Sequence, residues 1–287
     1  MVAGSGKRGA AGLRVERMKL GLSTYTYTWS IGVLGHCPAR PMTAMNLLSE
    51  ARRLAVRVVQ FADNLPLDRL TPEEVQAVLD CAAQLGIQVE VGTRGISPDH
   101  LRRYLALARR FQSPILRTVI DTATHHPSAE EVLRTLAPLE TEFTQAGVRL
   151  AIENHDRFQS QALADLVNRL GAHWTGICLD TVNSFGALEG PQVVVDALGP
   201  LTIDLHIKDF TIFRASHMMG FTVEGRPAGQ GRLEIPWLLD ELKRYGRDCN
   251  AILELWTPPE ETLEATIAKE QRWAEESILY LRSLISE

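Results

Sequence analysis

The chain has 287 residues, of which 45% are hydrophobic and 23% charged, so it can bury a sizeable core as an ordinary globular protein. Its net charge of −5 offers no basic surface to hold a phosphate backbone, which argues against a nucleic-acid partner. No apolar run approaches the roughly 20 residues that cross a bilayer, so a membrane partner is not expected either.

Residues 1–17 are rich in glycine and alanine and carry several basic side chains, but they lack the apolar middle of a secretory signal. We interpret them as a disordered N-terminal tail, with Met18 as a candidate true start. Residues 18–287 are then predicted to form a single domain.

Eight short runs rich in valine, isoleucine and leucine recur from Lys19 onward, separated by longer amphipathic stretches. This alternation is typical of βα units and a parallel sheet. The predicted strands are residues 19–24, 56–61, 88–91, 115–120, 149–153, 176–180, 203–207 and 251–255. Because the strands recur at near-even spacing and no GxGxxG follows the first, the sequence favours a closed (β/α)₈ TIM barrel of the α/β class over a doubly wound sheet.

Helix boundaries between these strands are marked by capping residues. Thr71 precedes Pro72 and two glutamates, which combines an N-cap, a first-turn proline and acids at the positive end of a helix. Gly86 and Gly147 come directly before the third and fifth strands, where glycine commonly ends a helix. These signals predict helices between the strands.

The four cysteines are scattered along the chain without a CxxC pair. They are Cys37, Cys81, Cys178 and Cys249. Cys81 and Cys178 fall within apolar patterns. The sequence therefore indicates free thiols and a cytoplasmic protein rather than zinc ligands or disulfides.

A charged side chain or an imidazole ends four of the predicted strands, where each apolar run stops. These residues are Glu153, Asp180, His206 and Glu254, on the fifth to eighth strands. Because the C-terminal ends of parallel strands meet at one mouth of a barrel, we expect the four side chains to converge. Three carboxylates and an imidazole would repel one another unless a cation compensates them, so the sequence predicts one divalent metal ion. Mn²⁺, Mg²⁺ and Co²⁺ suit these ligands, and Zn²⁺ is a less favoured candidate.

Four short motifs carry a resemblance to a known family. They are Glu153-Asn154-His155, Leu179-Asp180-Thr181-Val182-Asn183, Leu205-His206-Ile207-Lys208-Asp209 and Glu254. With them the chain from Met18 onward resembles the xylose isomerase-like TIM barrels, which include sugar and sugar-phosphate isomerases and epimerases. The resemblance implies a metal-dependent reaction through an enediolate, and a homodimer or tetramer. By resemblance to ketose 3-epimerases, Glu153 and Glu254 bind the metal and also move protons on opposite faces of the substrate.

Asn183 departs from the ketose 3-epimerase pattern, in which this position is often a substrate-binding histidine. An amide still forms hydrogen bonds with a substrate hydroxyl, but it neither titrates nor carries charge. Asn183 is therefore a candidate substrate contact that leaves the type of reaction open.

Two further candidate substrate contacts lie next to predicted ligands. Lys208 leaves its strand on the same side as His206, so its ammonium would reach an oxygen or carboxylate of the substrate. The alternative is an ion pair with Asp209 or another acid. His155 either contacts the substrate or orients a metal ligand.

A long segment, residues 210–234, separates the seventh strand from the last helix and is a candidate lid over the active face. It contains Arg214 and His217. This pair either binds an anionic group of the substrate, phosphate or carboxylate, or consists of solvated loop charges.

The sequence leaves several classes of function open. The main prediction is an isomerase or epimerase of a free ketose or a related polyhydroxy carbonyl compound. The alternative is a lyase, a dehydratase or decarboxylase of an oxidised sugar, similar to relatives of the inosose dehydratase and 3-oxo-isoapionate decarboxylase type. Lys208, Arg214 and His217 suit such a carboxylated substrate. A non-catalytic sugar-binding barrel would not require two proton-transfer glutamates, and a nuclease of the endonuclease IV type is disfavoured by the acidic charge balance.

Overall fold

The computed structural model describes residues 18–285 and contains eight parallel strands closed into a barrel, which confirms the predicted fold class. The barrel strands are β1 (Leu20–Ser23), β2 (Val58–Phe61), β3 (Gln88–Arg94), β4 (Ile115–Val119), β5 (Arg149–Glu153), β6 (Thr175–Asp180), β7 (Thr202–Ile207) and β10 (Ala251–Leu253). Each strand pairs with its neighbours in sequence, and β1 pairs with β10 to close the barrel. The predicted tail, residues 1–17, lies outside the described residues, and the single-domain organisation stays a prediction.

Helices connect the strands. They are α1 (Thr28–Ile31), α2 (Ala44–Arg53), α3 (Pro72–Leu85), α4 (Pro98–Arg110), α5 (Ala129–Leu136), α6 (Glu140–Ala146), α7 (Ser160–Leu170), α8 (Pro191–Leu198), α9 (Ile235–Arg244) and α10 (Leu263–Leu284). The start of α3 is the predicted one, because Thr71 Oγ1 accepts a hydrogen bond from Glu74 N at 3.2 Å and Glu74 Oε2 accepts one from Thr71 N at 2.8 Å. Gly86 ends this helix with a φ of 64°, a left-handed conformation that glycine adopts without strain. Within residues 18–285 no helix is both long and apolar enough to cross a membrane.

Apolar side chains fill two separate regions. The larger core joins strand residues such as Val59 and Phe61 to helix residues such as Leu101. A small cluster of Ile115, Ala151 and Cys178 comes from three adjacent barrel strands. Because side chains alternate along a strand, the residues two positions further on, Arg117, Glu153 and Asp180, extend from the same face of the sheet toward the C-terminal end. The fold thus places buried charges inside the mouth of the barrel.

Two strands that were not predicted from the sequence form an antiparallel hairpin. It begins at Asp209 and otherwise lies within the long segment 210–234. The strands are β8 (Asp209–Arg214) and β9 (Phe221–Arg226), which pair with each other and not with the barrel. The hairpin is only partly buried and, apart from Phe210, buries no apolar side chain, so the signal used for the other strands is missing. At Gly225 a Cβ would lie 2.1 Å from the carbonyl oxygen of Trp256, so the hairpin packs closely against the loop that follows β10.

Candidate active site

The four residues predicted as metal ligands come together at the C-terminal ends of the barrel strands. His206 Nδ1 lies 3.4 Å from Glu254 Oε1 and 3.5 Å from Glu153 Oε2. The same nitrogen lies 3.9 Å from Asp180 Oδ2. All four side chains are buried. The strand-end pattern therefore located a real cluster, although the ligand roles themselves stay a prediction.

The imidazole of His206 is oriented by a glutamine that lies deeper in the barrel. Gln60 Nε2 donates to Asp204 Oδ2 at 2.8 Å and to Glu90 Oε2 at 3.1 Å. With its amide hydrogens directed to two carboxylates, Gln60 presents its oxygen to His206 Nε2 at 2.7 Å. Nε2 then donates a hydrogen to Gln60 and Nδ1 faces the carboxylates, so the neutral imidazole carries its hydrogen on Nε2.

The charges of the cluster shift the pKa of its members. Burial opposes ionisation of Glu254, but the neighbouring His206 and Lys208 charges outweigh burial and lower its pKa to about 2. Burial also opposes a charge on His206, while Glu254 and Glu153 raise its pKa to about 9. An ion that binds Nδ1 at neutral pH must therefore displace a proton from His206.

Two side-chain cations already compensate the three carboxylates. Arg117 Nε donates to Glu153 Oε2 in a short, buried ion pair. Lys208 Nζ lies 2.8 Å from both Asp180 Oδ2 and Glu254 Oε2. Burial disfavours the ammonium of Lys208, but Asp180 and Glu254 together raise its pKa, so it stays charged. A metal ion was predicted because the three carboxylates need compensating positive charge. Arg117 and Lys208 already supply part of that charge.

Unpartnered polar atoms show that the cluster still fits a cation. His206 Nδ1 and Glu254 Oε1 are buried and have no hydrogen-bond partner among the described residues. Leaving such atoms unpaired is costly unless a ligand satisfies them. Carboxylate oxygens with one imidazole nitrogen match the donors that Mn²⁺, Mg²⁺ and Co²⁺ accept. Cys178 Sγ lies 3.8 Å from Glu153 Oε2, but burial raises the pKa of this thiol well above its usual range, which disfavours a thiolate ligand.

A cavity of about 410 Å³ opens above the cluster. Its lining includes Tyr25, Trp29, Arg94, Arg117, Glu153, His155, Asn183, Lys208, Glu254, Trp256 and Thr257. Glu153 and Glu254 reach the cavity surface, whereas Asp180 and His206 are not among the residues that line it. The volume suits a small polyhydroxy molecule, with aromatic side chains in the wall and charged groups at the base.

Three of the five predicted substrate contacts line this cavity. Asn183 Nδ2 donates to Glu153 Oε1 at 2.8 Å, so part of its hydrogen-bonding capacity serves a predicted ligand. His155 Nδ1 lies 2.9 Å from the exposed carboxylate of Asp156. Lys208 is buried between two acids, neither of which is Asp209. The ion-pair alternative thus describes Lys208 in this structure, with acids other than Asp209, and its contact with a substrate stays a prediction.

Arg214 and His217 are not brought to the cavity. Arg214 lies at the exposed end of β8, where its guanidinium stacks 4.6 Å from the ring centre of Phe221. His217 is exposed in the hairpin turn and accepts a hydrogen bond from Met219 N at 3.2 Å. In this arrangement both side chains are exposed to solvent on the hairpin, and their assignment to substrate binding stays a prediction.

Three further charged residues lie at the mouth of the barrel and were not predicted from the sequence: Arg94, Arg117 and Asp63. Arg117 interrupts the apolar run of β4, which is the same kind of signal that identified the ligand cluster. Arg117 lies in the middle of the strand, and the prediction considered only the residues at strand ends. Asp63 follows β2 in a loop and belongs to no recognisable pattern; only its contacts with Arg94 and Arg117 reveal its place.

Comparison with known proteins identifies the family. The family described as xylose isomerase-like TIM barrel matches residues 48–284. The chain is 33% identical over 264 residues to a 3-oxo-isoapionate decarboxylase from Pectobacterium atrosepticum, with 92% of this chain and 95% of that protein covered. The chain therefore belongs to the xylose isomerase-like TIM barrel family, as its motifs indicated.

Solved structures share this fold at low sequence identity. One is D-psicose 3-epimerase from Clostridium cellulolyticum H10 with D-tagatose, with a TM-score of 0.70, 14% identity, and coverage of 93% of this chain and 99% of that one. Another is a xylose isomerase-like TIM barrel protein from Mycobacterium smegmatis in complex with magnesium, with a TM-score of 0.65, 12% identity, and coverage of 92% and 97%. Epimerases and a decarboxylase thus occur on the same scaffold.

Proposed function

We propose that the protein is a metal-dependent lyase that removes carbon dioxide from a keto acid derived from a sugar. The observation that carries this proposal is the charge balance around the cavity. The charged side chains that line the cavity are Glu153, Glu254, Arg94, Arg117 and Lys208. Three of them are cationic and two are anionic, and a bound divalent ion would add two further positive charges. The cavity wall therefore favours an anionic substrate.

Two of these cations, Arg117 and Lys208, change the net charge around the ion from negative to positive. The same four ligands without Arg117 and Lys208 would leave a net negative charge around a divalent ion, which suits a neutral ketose and repels a sugar acid. Both cations are buried and line the cavity, so water screens them only weakly. The similarity of the chain, over nearly its full length, to a protein named as a decarboxylase of a 3-oxo acid supports the same conclusion.

The residues that would hold the ion are Glu153, Asp180, His206 and Glu254. When bound, a divalent ion supplies a Lewis acid that polarises a carbonyl oxygen. Arg117 and Asn183 each donate a hydrogen bond to Glu153 and so fix the direction of its carboxylate. Lys208 keeps its proton and adds positive charge at the cavity wall, while its ammonium donates to Asp180, Glu254 and Asn183.

In the proposed reaction the bond between the carboxylate carbon and the adjacent carbon breaks. Its electron pair passes toward the neighbouring keto group, whose oxygen gains negative charge, and carbon dioxide leaves. One proton is then added to the carbon, so each turnover consumes one proton. Glu153 and Glu254 line the cavity, and we assign them the relay of this proton from water.

An isomerase or epimerase is the second candidate, because both glutamates line one cavity. In that reaction one glutamate removes a proton next to the carbonyl group and the other returns a proton, through an enediolate. The pKa of Glu254, which His206 and Lys208 lower to about 2, keeps this carboxylate ionised but makes it a weak base, which counts against this candidate. An epimerase would use the same metal ligands as the lyase, but its substrate would lose no carboxylate.

One experiment separates these reactions. The protein loaded with Mn²⁺, Mg²⁺ or Co²⁺ is incubated in deuterium oxide with 3-oxo-isoapionate and, separately, with D-fructose, D-tagatose and D-psicose. Carbon dioxide is measured enzymatically and deuterium at carbon by mass spectrometry. Glu254→Gln, tested in parallel, reports background decarboxylation of the keto acid.

We expect carbon dioxide from the keto acid and one deuterium in its product. If a ketose incorporated deuterium at carbon and the keto acid released no carbon dioxide, the epimerase would be favoured over the lyase. If metal-loaded protein gave neither result with any of these compounds, a sugar-binding barrel without turnover would be favoured over both.

The family resemblance leads us to propose in addition a homodimer or homotetramer that acts in the cytoplasm. Light scattering coupled to size-exclusion chromatography measures the mass directly. A mass equal to that of a single chain across micromolar concentrations would contradict the oligomer.

A further inference from the structure

Two arginines at the cavity share one carboxylate. Arg94 Nε lies 2.9 Å from Asp63 Oδ2, and Arg117 Nη1 lies 3.2 Å from Asp63 Oδ1. Tyr25 donates its hydroxyl hydrogen to Asp63 Oδ2 at 3.2 Å. Burial opposes ionisation of Asp63, but the two guanidinium groups outweigh it and lower its pKa. Asp63 therefore holds both guanidinium groups at one place on the cavity wall.

Each guanidinium keeps a donor group free. Arg94 uses Nε for Asp63 and Nη1 for the carbonyl oxygen of Asp121 at 3.1 Å. Arg117 uses Nε for Glu153, and Nη1 for Asp63 and for the carbonyl oxygen of Thr93. Among the described residues, Nη2 of either arginine has no hydrogen-bond partner. Because both arginines line the cavity, these donors are available to a ligand.

The barrel interior provides space for the side chain of Arg117. Only 2% of its side chain is exposed, which is rare for arginine and requires space and partners. Gly92 on the adjacent strand provides the space, since a Cβ there would lie 3.3 Å from Arg117 Cδ and 2.9 Å from the carbonyl oxygen of Phe61. A buried cation with two acidic partners and a free donor facing a cavity is a built site rather than a chance surface charge.

We propose that Arg94 and Arg117 form the subsite that binds the carboxylate of the substrate, an inference that rests on the proposed lyase function. Guanidinium groups bind carboxylates through paired N–H donors, and two arginines held by one aspartate present such donors side by side. The ligand class is a carboxylate on a short polyhydroxy chain, whose hydroxyl and keto oxygens extend toward Lys208 and the ligand cluster.

The charges of this subsite suit a leaving carboxylate. Two guanidinium groups are balanced by Asp63 and Glu153, so the subsite offers hydrogen-bond donors with little net charge. A strong positive charge on the carboxylate would stabilise the substrate more than the transition state, in which this group is becoming neutral carbon dioxide. The excess positive charge would come instead from the ion, because Lys208 is already balanced by Asp180 and Glu254, and this charge would stabilise the negative charge that the keto oxygen gains.

The test compares two stable four-carbon probes, D-threonate and D-threitol, which differ in one carboxylate. Their affinities for Mg²⁺-loaded protein are measured by isothermal titration calorimetry for wild type, Arg94→Gln and Arg94→Lys. Arg157→Gln is the matched control, because Arg157 pairs with Asp121 beside the same mouth at 2.6 Å but does not line the cavity. Arg94 is 30% exposed, so its replacement is compatible with folding, which thermal unfolding verifies.

We expect wild type and Arg157→Gln to bind D-threonate at least about tenfold more tightly than D-threitol. Arg94→Gln is expected to remove most of this preference, and Arg94→Lys to retain part of it. The affinity of Arg94→Gln for Mn²⁺ should equal that of wild type, since Arg94 contacts none of the predicted ligands.

A preference for D-threonate that survives in Arg94→Gln would overturn the subsite, because the carboxylate would then be bound elsewhere, for example by the ion. Equal binding of the two probes by wild type would overturn it as well. These binding results do not depend on turnover. A preference that is lost in Arg94→Gln, together with absent release of carbon dioxide, would support the subsite and reject only the decarboxylase.

Discussion

Gln60 and His206 share a hydrogen bond of 2.7 Å inside the barrel, and this bond decides which imidazole nitrogen faces the carboxylates. Turning the amide of Gln60 over would aim its oxygen at Asp204 Oδ2, which accepts a hydrogen bond from Gln60 Nε2 at 2.8 Å. The tautomer of His206 is therefore set by acids that lie below it, Glu90 and Asp204, and not by the predicted ligands themselves.

The first prediction follows from this bond. Gln60→Leu should lower the affinity for Mn²⁺ by about 10- to 100-fold, because the imidazole loses the partner that holds Nδ1 toward the ion. Isothermal titration calorimetry measures the affinity, and Gln76→Leu, a change on the exposed face of α3, is the control. An affinity for Mn²⁺ equal to that of wild type would show that Gln60 does not position the ligand.

The second prediction concerns the two glutamates that line the cavity. Glu153→Gln and Glu254→Gln should each reduce kcat by about 10²- to 10⁴-fold, because an amide neither accepts nor relays the proton. The metal content of each variant, measured by mass spectrometry, separates loss of the proton carrier from loss of a ligand. Glu241→Gln on α9 is the control. Full turnover by either cavity variant would refute the role assigned to that glutamate.

The third prediction is metal dependence. Dialysis against a chelator should abolish turnover, and Mn²⁺, Mg²⁺ or Co²⁺ should restore it. A metal that binds only the folded protein also stabilises it, by about 2.7 kcal/mol at one hundred times Kd, so Tm should rise with the concentration of the effective ion. In His206→Ala, the added metal should neither restore turnover nor raise Tm. Turnover that persists in protein shown to be metal-free would contradict the proposed chemistry.

The fourth prediction is a pH dependence of stability that arises at Glu270 on α10. This buried carboxylate accepts hydrogen bonds from Trp29 N at 2.8 Å and from Ser30 N at 2.9 Å, and so ties α1, with its cavity residue Trp29, to α10. Burial raises the pKa of Glu270 from 4.5 to about 7. Between these pH values the folded protein holds the proton more firmly than the unfolded chain. The free energy of unfolding contributed by Glu270 therefore falls as pH rises from about 4.5 to 7 and is constant above.

Glu270→Gln removes this titration. Between pH 5 and pH 8, wild type should lose about 3 kcal/mol of unfolding free energy relative to the variant, as judged from the pKa shift. Urea unfolding at the two pH values measures the difference, and Glu264→Gln at the start of the same helix is the control. A pH-independent difference between wild type and Glu270→Gln would show that this carboxylate does not titrate in the range.

Much of the fold and the ligand cluster could be predicted from the sequence. Each barrel strand is a short apolar run between amphipathic helices, and that pattern is local. The mouth of a parallel barrel collects the C-terminal ends of all its strands, so a polar residue that ends a strand has a known position before any contact is known. Glu153, Asp180, His206 and Glu254 were found in this way. The hairpin was missed because it buries no apolar run.

The tertiary structure decided how the buried charges are paired. Arg117 and Asp63 are 54 residues apart in the chain, and Lys208 lies between two acids at the C-terminal ends of different strands. Such partners depend on distances across the barrel that local patterns do not contain. The barrel and the converging ligand cluster follow from local patterns in the sequence. Only the folded arrangement placed Arg117 and Lys208 on those carboxylates, and because Coulomb energies depend on separation and burial, that arrangement sets the charge that the cavity offers to a substrate.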